Sequence, residues 1–207
     1  MMMNLGARAL AIALLGAFML MAPAKADQRI DEARELVSQM AMAVKTAVEA
    51  NYDTEEARIT EVNKLLDTYF DFDGITRFSA GRYWKKATKE EQAEYMILFR
   101  NVLTGLAARQ FDQLKGLNYT VTDAVSKGKK LVLVTGIMKD PTGAQADAVV
   151  SWRVSTVEGK AALIIDVEIE NISMLITQQQ ENAAIIRKNS GKFSALIDVL
   201  RKTADEI

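Results

Sequence analysis

The chain has 207 residues, carries 26 basic and 27 acidic side chains, and contains neither cysteine nor histidine. The formal net charge of −1 argues against a general nucleic-acid-binding protein, because such proteins carry a basic excess or stripe. The two missing residue types exclude cysteine nucleophiles, Ser-His-Asp catalysis, thiolate metal sites and imidazole bases. We therefore predict no metal and no other cofactor, and an enzyme would have to rely on carboxylate, lysine, tyrosine or serine groups.

The chain begins with a pattern typical of a secretory signal peptide. Arg8 precedes an apolar run over residues 9–22, which is followed by the small-residue site Ala24–Ala26. The run is short for a membrane span, and signal peptidase accepts small residues at such a site. We predict cleavage after this site, which gives a signal peptide over 1–26 and one exported domain over 27–207. The alternative is an uncleaved membrane anchor.

The first half of the exported domain has the periodicity of amphipathic helices. Apolar residues recur at helical spacing over Ile30–Ala50, which predicts the first helix. Asp53 is predicted to cap a second helix, and Asp73 to cap a short third helix. Thr88 and Glu91 form a Thr-x-x-Glu capping box at the start of the helix that we predict to be the longest in the chain.

Gly116 marks a change from the helical period to an alternation of apolar and polar residues. Four strands joined by short turns are predicted between Leu117 and Ile172, and this arrangement indicates an antiparallel meander. Ser173 is predicted to cap a helix that runs to Lys188, and a last amphipathic helix follows. The sequence therefore predicts an α+β fold in which a twisted, four-stranded antiparallel sheet packs against N- and C-terminal helices.

Two groups of carboxylates could carry chemistry, and each has a simpler interpretation. Asp71 and Asp73 could serve acid–base catalysis or hold a cation, but the further oxygen ligands of a calcium loop are missing, and helix capping explains Asp73. Asp166, Glu168 and Glu170 share one face of the predicted fourth strand. We interpret this face as solvated, with a metal site as the alternative.

The remaining feature is the apolar surface of the long helix and of the strands. These side chains either fill one core or leave a pocket for an apolar ligand between sheet and helices. Periodicity does not separate the two possibilities, because it identifies the apolar face of an element without identifying what that face meets.

Three segments, Phe70–Phe72, Gly81–Thr88 and Asp166–Met174, carry a resemblance to a known family. Their order and spacing, over about residues 32–200, resemble the periplasmic phospholipid-binding proteins of the Mla pathway, the toluene-tolerance family. One departure concerns the Tyr-Arg-x-x-Phe pattern of that family, which is replaced here by Gln178-Gln179-Gln180-Glu181-Asn182. Any polar contact made by the family's Arg therefore does not transfer to this chain.

The resemblance implies a soluble periplasmic carrier of glycerophospholipid. Its partners would be an outer-membrane lipoprotein complex and an inner-membrane ABC transporter complex with its lipid-binding subunit. The acyl chains would lie in an apolar pocket between sheet and helices, with the headgroup near solvent. Each buried methylene is worth about 0.8 kcal/mol, so a lipid needs such a container to cross an aqueous gap. This function requires no catalytic group.

The ligand-facing side chains are then expected on the longest helix and on the inner face of the sheet. The candidates are Phe99, Leu103, Leu106, Val150, Trp152, Ile165, Val167 and Ile169. A register shift of one residue would reverse the chosen strand face.

Three alternatives to the phospholipid carrier remain open at this point. The first is a carrier of another apolar lipid of the same fold, such as a hopanoid or a sterol-like molecule. The second is an enzyme that uses Asp71, Asp73 or lysine residues. The third is an interaction module without a ligand.

Overall fold

The computed structural model of the protein describes residues 22–207, with side chains from Gln28 onward. The predicted signal peptide lies outside the described residues except for Ala22–Ala26, which begin the first helix. The helices are α1 (Ala22–Glu49), α2 (Glu55–Tyr69), α3 (Phe72–Ala80), a short 3-10 helix (Gly81–Lys86), α4 (Lys89–Arg109), α5 (Phe111–Leu114), α6 (Met174–Lys188) and α7 (Ser194–Glu206). The strands are β1 (Asn118–Ser126), β2 (Leu131–Lys139), β3 (Ala148–Ser155), β4 (Leu163–Ile169) and β5 (Ile172–Ser173).

The strands form one antiparallel sheet in the order β1-β2-β3-β4-β5, which confirms the predicted meander. The predicted number of four strands is wrong, because a fifth strand of two residues pairs with the end of β4. Glu170 and Asn171 both have positive φ, and this backbone conformation turns the chain back sharply. A strand of two residues is too short to show an alternating pattern, so the sequence did not reveal it.

Two of the four capping residues predicted from the sequence are confirmed by the structure. Thr88 and Glu91 form both hydrogen bonds of the predicted capping box, and Ser173 caps α6 by accepting from the amide of Ile176 at 3.0 Å. The predicted caps of α2 and α3 are wrong by one and two residues. Thr54 caps α2 and Asp71 caps α3, because these are the residues that directly precede the first helical turn.

The prediction for the longest helix is also wrong. The described part of α1 spans 28 residues, whereas α4 spans 21 and ends at Arg109. The apolar period continues into the separate helix α5, so the break at Gln110 is not visible in the pattern of apolar residues.

Three groups of buried side chains hold these elements together. The first lies between α1 and one face of the sheet, and the second lies among α3, α4, α6 and α7. The third joins α1, α2, α4 and α5. Helices α3 and α6 also contact β4. Helix α1 therefore covers one face of the sheet, while α4 belongs to the helical part of the molecule.

Candidate functional site

A cavity of about 780 Å³ lies between α1 and the sheet face that α1 covers. Most of its lining residues are apolar, and its volume is within the range of about 300–1,000 Å³ that is typical of small-molecule sites. Leu114 at the end of α5 and Leu117 just before β1 complete the wall near the C-terminal end of α1. The geometry is that of a container for an apolar molecule.

Helix α1 forms one wall of the cavity with part of its apolar face. Near the N-terminal end, Ala33 and Val37 pack closely against the sheet and are fully buried. Further along, Met40, Val44 and Val48 follow at intervals of four residues, so they lie on the same face. These three side chains line the cavity.

The central strands form the opposite wall. Val150 on β3 pairs with Ile169 on β4, and Trp152 pairs with Val167, so these four side chains share one face. All four line the cavity. They are four of the eight ligand-facing candidates that we predicted from the sequence.

A bulge in β4 removes Ile165 from this wall. Arg153 pairs with Asp166 and Val154 pairs with Ile164, so Ile165 is an extra residue between the two pairs. Ile164 takes the inward position and is fully buried between α1 and the sheet. Ile165 is therefore not part of the cavity wall, although strict alternation along β4 would place it beside Val167.

The three candidates on α4 lie away from the cavity. Phe99 is buried among the helices and stacks on Tyr95, with 5.5 Å between the ring centroids. Leu103 packs against the same group, and the side chain of Leu106 is 43% exposed. The ligand-binding role of all eight candidates stays a prediction.

Sequence reasoning missed the lining residues on α1, β1 and β2. They include Met40, Val44, Tyr119, Val121 and Met138. The apolar stripe of α1 and the alternation in β1 were visible in the sequence. The missing information was that α1, rather than α4, covers the sheet.

Tyr119 forms a bridge across β2 at the edge of the cavity. Its hydroxyl donates a hydrogen bond to the carbonyl oxygen of Val150 at 3.2 Å. Its ring meets Trp152 edge-on, with 6.4 Å between the ring centroids. Burial raises the pKa of the Tyr119 phenol to about 12, so the phenol is neutral at physiological pH. The bridge joins β1 to β3 without adding charge to the wall.

Polar residues at the margin of the cavity come from α1 and β1. Lys45 donates a hydrogen bond to Asn118 Oδ1 at 2.8 Å and lies 4.0 Å from a carboxylate oxygen of Glu49. Arg34 is half-buried, and its guanidinium makes no ion pair or hydrogen bond with the part of the chain that the structure describes. Among the residues that the structure describes, Lys45 therefore has partners at this margin and Arg34 has none.

Asp166 and Glu168 on β4 are buried, so the interpretation as a solvated face is wrong for these two residues, whereas Glu170 is exposed in the turn that follows β4. Asp166 accepts hydrogen bonds from the Ser173 hydroxyl at 2.6 Å and from the Leu175 amide at 3.0 Å. Arg153 pairs with both Asp166 and Glu168. Asp166 therefore attaches the start of α6 to the sheet, and Glu168 pairs with Arg153 beside it.

No group of three or more acidic residues within residues 28–207 is arranged to hold a metal ion. Asp71 is the cap of α3, and Asp73 lies 3.6 Å from Arg77 one turn further along that helix. Neither aspartate lines the cavity described above. Within the described part of the chain, no helix combines the length and the apolar character that a membrane crossing needs.

The fold and the cavity define a class of α+β protein with an antiparallel meander. An apolar cavity lies between one face of its sheet and a long helix. A family model described as MlaC protein matches residues 34–202, and the chain belongs to this family. This result confirms the family that the sequence motifs indicated. The comparison with curated proteins gives no match.

The fold is similar to that of a solved structure. It is the structure of the phospholipid-binding protein from Ralstonia solanacearum in complex with a phospholipid. The TM-score is 0.71 at 19% sequence identity, and the match covers 84% of this chain and 97% of that chain. At this level of identity, the similarity establishes the fold.

Proposed function

We propose that this protein binds a glycerophospholipid and that the acyl chains of the lipid occupy the cavity between α1 and the sheet. The observation that carries the proposal is an apolar cavity of about 780 Å³ in a chain of the MlaC family. The similar fold of a protein solved with a phospholipid supports it. The proposed ligand-binding residues are four of the predicted candidates, Val150, Trp152, Val167 and Ile169 on β3 and β4. They also include the lining residues on α1, β1 and β2 named above: Met40, Val44, Tyr119, Val121 and Met138.

We further propose that the protein is a periplasmic shuttle in the maintenance of outer-membrane lipid asymmetry. It would move lipid between an outer-membrane lipoprotein complex and an inner-membrane ABC transporter complex. The predicted signal peptide and the family support this role. Burial of a methylene contributes about 0.8 kcal/mol, so an apolar cavity lowers the free-energy cost of carrying acyl chains through water.

The geometry favours binding over catalysis. Asp71 and Asp73, the carboxylates of the enzyme hypothesis, have structural roles in and near the cap of α3. Most of the described residues that line the cavity are apolar, and none of them is an aspartate or glutamate that could complete an acid–base pair with Lys45 or Tyr119. A carrier needs only shape and apolar surface at this position.

The test is to purify the protein from cells, extract bound lipid and analyse it by mass spectrometry. Val150→Trp places a large ring in the cavity, because Val150 is buried in its wall. Val149→Trp is the matched control, because Val149 is adjacent on β3, is exposed and does not line the cavity. We expect bound phospholipid in the wild type and the control, and little in Val150→Trp.

Two results would contradict the proposal. One is a folded Val150→Trp protein with the same lipid content as the control. The other is a bound lipid without phosphorus, such as a hopanoid or sterol-like molecule, which would support the alternative carrier.

A further inference from the structure

Two cations line the cavity, and they differ in their surroundings. Arg34 and Lys45 both lie on α1, about 16 Å apart along the helix axis at a rise of about 1.5 Å per residue. Lys45 already has Asn118 and Glu49 as partners. Arg34 has no side-chain partner among the described residues.

The acidic residues nearest to Arg34 in the sequence do not neutralise it. Glu35 accepts a hydrogen bond from Gln39 at 2.7 Å, and Glu32 accepts one from Gln28 at 2.9 Å. Neither of these glutamates makes an ion pair with Arg34, and nor does Asp31. Ser38, one turn further along α1, directs its hydroxyl hydrogen to the carbonyl oxygen of Arg34 rather than to the cavity. No described residue therefore occupies the guanidinium donor groups of Arg34, which lines the apolar cavity.

An unpaired, half-buried cation beside apolar surface is unfavourable, because it has lost part of its hydration without gaining a counter-ion. The planar fork of a guanidinium matches two oxygens of a phosphate, and such charge-assisted pairs are stronger than neutral hydrogen bonds. A ligand with an apolar body and a phosphate at one end would satisfy both the cavity and Arg34.

We infer that Arg34 binds the phosphate of the phospholipid whose acyl chains occupy the cavity. This inference rests on the proposed function, and it adds a polar recognition site and an orientation for the lipid. The phosphate lies at the Arg34 end of the cavity, and the acyl chains extend along α1 toward Val48. The distance from Arg34 to Val48 along the helix is about 21 Å, which is comparable with an extended long-chain acyl group.

The test compares two lipids with identical acyl chains, phosphatidylglycerol and the uncharged diacylglycerol. Each is offered to the protein from vesicles, and the bound fraction is measured by native mass spectrometry. Arg34→Gln removes the charge, and Arg34→Lys keeps the charge but loses the planar fork. Arg77→Gln is the matched control, because Arg77 is an exposed helical arginine that does not line the cavity.

We expect wild type and Arg77→Gln to prefer phosphatidylglycerol over diacylglycerol. Arg34→Gln should weaken phosphatidylglycerol binding by about tenfold, the loss expected for a charged hydrogen bond, and leave diacylglycerol binding unchanged. Arg34→Lys should fall between these values. Inorganic phosphate alone should neither bind detectably nor displace the lipid, because it cannot fill the apolar cavity.

Three outcomes would overturn the inference. One is an equal preference for phosphatidylglycerol in wild type and Arg34→Gln, and another is an equal loss of both lipids in Arg34→Gln. The third is displacement of the lipid by inorganic phosphate, which would make the site one for free phosphate. Failure of wild type to bind either lipid would instead refute the proposed function, so the two failures are distinguishable.

Discussion

The ring of Tyr119 occupies the space that a side chain at position 136 would need. A Cβ atom built on Gly136 would lie 2.4 Å from the Tyr119 ring and 2.5 Å from the carbonyl oxygen of Thr120. Residue 136 is therefore glycine because the backbones of β1 and β2 and the tyrosine bridge meet there. The same close approach allows the Tyr119 hydroxyl to reach Val150 on the next strand but one.

Gly136→Ala is expected to destabilise the protein by about 1–3 kcal/mol, the usual effect of overpacking. Urea unfolding measures the change. In a Tyr119→Ala background the effect should be smaller but should not vanish, because the clash with the Thr120 carbonyl remains. An equal effect in both backgrounds would contradict the contact with the tyrosine ring.

The Tyr119 bridge also gives a prediction for alkaline pH. Burial raises the pKa of Tyr119 from 10.0 to about 12, so the unfolded chain loses this proton at lower pH than the folded chain. The contribution of Tyr119 to stability is therefore complete below pH 10 and is lost as the pH rises toward 12. Tyr119→Phe should show a smaller fall in unfolding free energy over this interval. Parallel curves for wild type and variant would refute this assignment.

Asp166 joins the start of α6 to β4, and its removal should have a large effect. Asp166→Ala leaves the Leu175 amide and the Ser173 hydroxyl without their acceptor and takes one carboxylate from Arg153. We expect a loss of about 3 kcal/mol, as for other broken buried ion pairs.

The matched control for Asp166→Ala is Asp147→Ala. Asp147 forms an exposed ion pair with Lys139, so its loss should change stability by about 0–1 kcal/mol. Thermal or urea unfolding of both variants provides the comparison. Similar effects for the two substitutions would show that the buried network does not stabilise α6.

A second buried polar network joins α3, α4 and α6. Asn182 donates hydrogen bonds to the carbonyl oxygen of Ser79 at 3.1 Å and to the Tyr95 hydroxyl at 3.0 Å. The Tyr95 hydroxyl also shares a hydrogen bond with the Ser79 hydroxyl at 2.7 Å, and burial raises the pKa of Tyr95. Asn182 belongs to residues 178–182, the segment in which the sequence departs from the family pattern.

Asn182→Ala is expected to destabilise the protein by about 2–3 kcal/mol, because it leaves buried polar groups without partners and opens a small cavity. Gln180→Ala, an exposed change on the same helix, should be within about 0.5 kcal/mol of wild type. Urea unfolding of the two variants tests the difference. A neutral Asn182→Ala would mean that the network contributes little to stability.

The sequence by itself determined most of the local structure. The capping box of Thr88 and Glu91, the cap at Ser173 and the change of period at Gly116 predicted where α4, α6 and the sheet begin. These features depend on contacts within a few residues, so a single sequence contains the information. The motif resemblance likewise identified the family that the family model matches.

The tertiary structure decided which elements enclose the cavity. Periodicity showed that α1 and α4 each have an apolar face, but it did not show that the face of α1 covers the sheet while Phe99 on α4 packs among helices. The bulge at Ile165 depends on how β4 pairs with β3, and one extra residue changes which side chains point inward. The wall of the cavity is formed by contacts between residues far apart in the chain. A local sequence pattern does not reveal such contacts, because it reports only on neighbouring residues.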